Sequence, residues 1–83
     1  MSKPTTKAIR ARLEQRKAPA KHLDSWAQFL TGLDWKIINP LMQMALHTGT
    51  HPALAAGITA RTTQDDAIRG LLVAHLEAKA SDK

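Results

Sequence analysis

The chain has 83 residues, 43% of them hydrophobic and 23% charged, with no cysteine and a net charge of +5. That balance suits one small globular domain rather than a disordered chain, and it excludes a disulfide framework or a thiolate metal site. No run approaches the ~20 apolar residues of a membrane span or the ~7–15 of a secretory signal, so no membrane association and a cytoplasmic location are the expectations.

The only aromatic residues are Trp26, Phe29 and Trp35. The core must therefore be built mainly from Leu, Ile, Ala and Met, a set that favours helix over sheet. A chain of this size buries only roughly 60–65% of its unfolded surface, so its helices need close packing, perhaps with a second copy. Charge is unevenly placed. Residues 1–21 carry Lys3, Lys7, Arg10, Arg12, Arg16, Lys17 and Lys21 against Glu14 alone, a net of +6, whereas the remainder sums to −1. Such asymmetry points to a polyanionic partner, although an Arg-rich, acid-poor start is also a feature of organelle transit peptides.

In chain order, a first helix is predicted from about Thr6 to Lys17, where good helix formers dominate. Its apolar stripe consists of Ile9 and Leu13 only, with Arg12 and Arg16 on one flank and Arg10 and Lys17 on the other. Two large apolar residues are few for a core helix, so loose docking is expected. A second helix, about Pro19 to Thr31, has Leu23, Trp26, Ala27 and Leu30 at the spacing of one helical face. Phe29 widens that face, and Gly32 suits the cap. Trp26 and Leu30 are expected to be buried against the last helix.

The stretch "DWKIINPLMQMALHT", residues 34–48, permits two readings. Asp34 caps one long helix containing Pro40, or a short turn precedes a helix capped by Asn39 with Pro40 in its first position. The second is preferred, because an interior proline clashes with the carbonyl four residues back. "THPALAAGIT" then predicts a short helix over Pro52–Ala56 broken at Gly57. The last helix is predicted from about Ala60 or Thr63 to Ala80, with Thr63 and Asp66 resembling a capping box. The expectation is an all-α fold: a small bundle of four to five short helices, with a basic N-terminal arm or helix at residues 1–18 and a compact helical domain at 19–83.

Several constellations can be weighed for chemistry. Ala53, Gly57 and Ile58 match part of a helix-turn-helix, but Asp65 and Asp66 would then face phosphates, so an ordinary helical corner is the better account. His47 and His51 have metal-ligand spacing, but Gly49 breaks the helix between them and no third ligand is evident; no metal and no cofactor are expected. His22 and Ser25 lie one turn apart, which raises a nucleophile–base pair that the small chain has little room to complete; no enzymatic activity is expected. On the last helix, Ile68, Leu71, His75 and Ala78 fall at 3-4-3 spacing and form a candidate homodimer interface, with His75 as a polar residue at the seam or else a partly buried histidine.

The candidate nucleic-acid-binding residues are Lys7, Arg10, Arg12, Arg16, Lys17 and Lys21, acting mainly on phosphates of DNA or RNA. The arm contains no aromatic for base stacking, and Gln15 is its only amide. A non-enzymatic regulatory or accessory nucleic-acid-binding protein is the functional expectation. The alternative is an adaptor or inhibitor whose helical surface docks on an acidic protein partner.

Overall fold

The computed structural model describes residues 3–81 and is all-α. Its elements are α1 (Thr6–Gln15), a single 3-10 turn (Ala20–His22), α2 (Leu23–Leu30), α3 (Trp35–Thr48), α4 (Pro52–Thr62) and α5 (Asp66–Ser81). The expected small helical bundle is what the chain forms.

Thr5 opens α1 by accepting a hydrogen bond from the Ala8 N–H. Ile9 and Leu13 are both fully buried, so the expectation of a loosely docked helix is corrected. Two side chains suffice because α1 lies antiparallel against α2, with which it packs extensively. Thr6 and Thr31 share a hydrogen bond at one end of this pair, and Arg10 meets Asp24 nearer the other. The helix closes through Lys17, whose φ of 62° is left-handed. Its N–H bonds to the Glu14 carbonyl while the Ala18 N–H reaches back to Leu13. Gly49, φ 71°, performs the same turn after α3. Glycine adopts that geometry without the steric cost a lysine Cβ incurs.

The buried residues of α2 are Leu23, Trp26, Ala27, Phe29 and Leu30, the face predicted from their spacing. Its neighbours differ from expectation. The Trp26 ring stacks on His22 and meets His51 edge-on, so it packs toward the 3-10 turn and the start of α4. Phe29, rather than Trp26, meets α5, through the ring of His75.

The preferred reading of residues 34–48 is overturned. One helix runs from Trp35 to Thr48 with Pro40 inside it, and Asp34 accepts from the Ile37 N–H as its cap. Proline is accommodated because Pro40 lies on the exposed side, where the Lys36 carbonyl that loses its donor can face water. On the opposite side Ile38, Leu41, Met42 and Ala45 form one uninterrupted buried stripe that offsets the broken hydrogen bond.

Gly57 likewise breaks nothing: α4 continues through it to Thr62, because a single glycine costs a helix only ~1 kcal/mol. The helix-turn-helix reading fails with it, since Gly57 lies within a helix and the turn falls at residues 63–65. Ala55, Ala56 and Ala60 give α4 a small-residue face, which lets it pack against α2, α3 and α5. The cap of α5 is Asp65, which accepts from the Ala67 and Ile68 N–H groups; Thr63 instead accepts from Asp65. Arg69 secures this corner by donating to the Ala60 and Thr63 carbonyls.

Candidate nucleic-acid interface

Burial of Ile9 and Leu13 divides the arginines of α1 between two flanks. On the α2 side, Arg10 Nε donates to Asp24 Oδ1 at 2.7 Å and its Nη1 donates to Glu14. The hydrogen bond and charge of Asp24 push the Arg10 pKa above its ordinary value. Its charge is thus compensated, and it clamps α1 to α2.

The α3 side is different. The Arg12 guanidinium lies over the Trp35 ring, 4.8 Å from its centroid. Arg16 Nη1 donates to Gln43 Oε1 at 2.9 Å. Neither arginine has a carboxylate partner among the described residues, and α3 itself contains no acidic residue. Both therefore keep an uncompensated positive charge at the seam between the two helices. Beside Arg16 is an open cleft of about 390 Å³ lined by Arg16, Gln43, Leu46 and His47. Trp35, Asn39 and Gln43 recur every fourth residue and so lie along one edge of α3. The Asn39 Oδ1 is buried with no hydrogen-bond partner.

The six basic residues expected to act together are thus not one patch. Arg12 and Arg16 are gathered with α3, and Arg10 is drawn off into ion pairs. Lys7, Lys17 and Lys21 are exposed on α1, at its C-terminal turn and in the 3-10 turn. Trp35, Gln43 and His47 were not anticipated as neighbours of the basic segment. The one signal for them was the lack of acid throughout "WKIINPLMQMALHT".

The four residues of the expected dimer seam do not share a free face. Ile68 and His75 turn inward, His75 Nε2 donating to the Phe29 carbonyl at 2.6 Å, while Leu71 is 44% exposed and Ala78 is exposed as well. The buried residue of α5 is Leu72, which sets the inward stripe one position away from Leu71.

The histidines separate too. His47 lies on the cleft, whereas His51 caps α4 and faces α2. Ser25 meets His51 rather than His22, with Oγ 3.2 Å from Nε2. This pair is not set up as nucleophile and base. The Ala53 N–H donates to His51 Nδ1 at 3.0 Å, so the neutral ring carries its proton on Nε2 and donates to Ser25. A general base would need that nitrogen unprotonated. Comparison with known proteins adds no relative: no protein family, curated protein or solved structure matches the chain.

Two of these histidines make folding sensitive to acid. Burial, and then the charge of His22, lower the pKa of His51. For His75 burial again dominates, opposed by the bond to Phe29 and reinforced by Lys79 and Lys3. A lowered native pKa means that the unfolded chain binds more protons below its own value of ~6.5. Their contribution to stability is complete above that value and is lost as pH falls through the native pKa values. The melting temperature is expected to be lower at pH 5 than at pH 7.5. His51→Asn, which keeps a capping side chain without a titrating ring, should narrow the gap. An equal or wider gap in the variant would remove His51 as a source.

Proposed function

We propose that the protein is a non-enzymatic nucleic-acid-binding protein that engages phosphates through the edge shared by α1 and α3. The observation that carries this reading is the segregation of charge by partner. Arg10 is neutralised by two carboxylates, whereas Arg12, over the Trp35 ring, and Arg16, on a cleft with Gln43 and His47, have none. Lys7, Lys17 and Lys21 extend the positive field around α1. Arg12, half-exposed and held by an aromatic ring, and Arg16, exposed and held by an amide, are pre-positioned for an anion without being discharged by a neighbour.

Phosphate contacts release counterions, so affinity should fall with salt. With about four to five contacts, log K against log salt should have a slope of roughly −4 on duplex DNA and roughly −3 on a single strand. Arg12→Ala combined with Arg16→Ala is expected to flatten the slope by about 1.5–2. Arg10→Ala should leave it nearly unchanged, because that side chain is already paired. Binding titrations of all three proteins at several salt concentrations test this. No binding at low salt would overturn the reading, and equal slopes for wild type and the double variant would exclude the α1–α3 edge.

The adaptor reading has one observation in its favour. Leu54, 51% exposed, and Ile58, 37% exposed, lie one turn apart on the outer face of α4. That pair is small beside the apolar patches that mark protein interfaces, so it ranks second.

A further inference from the structure

We infer that the α1–α3 edge takes single-stranded nucleic acid, holding an unpaired base on the Arg12–Trp35 stack with its phosphate at Arg16. The inference rests on the nucleic-acid reading above and narrows it to a substrate class.

Three features separate a single strand from a duplex. First, no helix presents a basic outer face to a groove. With Ile9 and Leu13 turned inward, the outward side of α1 carries Lys7, Ala11, Glu14 and Gln15, so a carboxylate occupies the ridge that would enter the groove. The start of α5 carries Asp65, which repels phosphates, and Asp66, which occupies Arg69, so it offers no free cation. Second, Arg16, one helical turn from Arg12, borders a concavity. The open cleft lined by Arg16, Gln43, Leu46 and His47 admits a splayed nucleotide more readily than a rigid double helix. Leu46 gives it an apolar wall, while Gln43 offers an amide that can pair with a base edge.

Third, the planar groups are assembled. Trp35 is half-buried, with the Arg12 guanidinium over its ring at 4.8 Å. The half-exposed guanidinium is a planar cation backed by an indole, on which a base can stack. Unpaired bases stack on such arginine planes, whereas the bases of a duplex are already stacked on each other and offer only their edges. A phosphate site alone would need neither the ring nor the flat guanidinium.

The test uses the full chain with labelled dT12, rU12 and a 12-base-pair DNA duplex at matched salt. Both single strands are expected to bind at least about tenfold more tightly than the duplex, since stacking one base is worth about tenfold or more in affinity. Emission of Trp35 should change on binding, and Trp26, only 2% exposed, should contribute little to the change. Arg12→Lys keeps the charge and discards the plane. It is expected to lose about tenfold on dT12 and rU12 with an unchanged salt slope and little loss on the duplex. Gln43→Ala is a second, exposed substitution, expected to weaken the single strands only. Equal affinity for duplex and single strands, without an emission change, would overturn this inference and leave phosphate binding standing. Absence of binding to all three would overturn both. A preference for dT12 over rU12, or the reverse, within a shared preference for single strands would support the inference.

Discussion

Trp26→Ala is expected to destabilise the protein by ~3–5 kcal/mol, as the loss of a large buried aromatic does. The ring is 2% exposed, lies between the stacked His22 and the edge of His51, and belongs to the same core as Leu30 and Phe29. Its removal would leave a cavity that two half-buried imidazoles cannot fill. The total stability of a chain of this size is roughly 4–12 kcal/mol, so much of it would be lost. Thermal and urea melts followed by helical circular dichroism give the result. A variant melting within a few degrees of the parent would show that the ring is not part of the core.

A comparable loss, ~2–5 kcal/mol, is expected for Leu13→Ala. This substitution tests whether the basic segment is an appendage or part of the bundle. Leu13 is 0% exposed, and with Ile9 it supplies the whole buried face of α1. If α1 were only a tethered arm, the rest of the bundle would melt as before, and only its own amides would lose protection from hydrogen exchange. With α1 integral, global melting should fall while protection is reduced across α2 as well. Unchanged melting of α2 would restore the arm description.

Local, one-sided patterns carry through to the fold, whereas gains that depend on tertiary packing do not show in the sequence. In α2 the residues Leu23, Trp26, Ala27 and Leu30 are local and one-sided, and their buried face was readable directly. Ile38, Leu41, Met42 and Ala45 have the same period, but Pro40 is a local signal that argues against it. The local cost of a proline was set above a buried stripe whose gain depends on tertiary packing. Gly57 misled in the same way within α4. For α1, the number of apolar residues was a poor guide to docking, because two side chains are enough when a neighbouring helix lies alongside.

The candidate site was half legible. Periodicity already placed Arg12 and Arg16 on one flank of α1 and Arg10 on the other. What each flank would meet was not readable, because Asp24, Trp35 and Gln43 arrive from elsewhere in the chain. Only contact between helices decides that Arg10 is neutralised while Arg12 and Arg16 are not. The same applies to the bond between His51 and Ser25, which depends on α4 crossing near α2.

The most extensive packing joins helices adjacent in the chain: α1 with α2, α3 with α4, and α4 with α5. Each of these partners is reached through a short connection, such as residues 49–51 between α3 and α4 or 63–65 between α4 and α5. Little loop entropy must then be lost before a contact is rewarded, so the search for the native arrangement is mostly local. Helical domains of such low contact order fold in roughly microseconds to milliseconds. In a newly made chain, α1 and α2 can associate before α5 has been synthesised. The buried side of the basic helix is thereby covered early and Arg10 is clamped to α2, while Arg12 and Arg16 stay unpartnered until α3 is added.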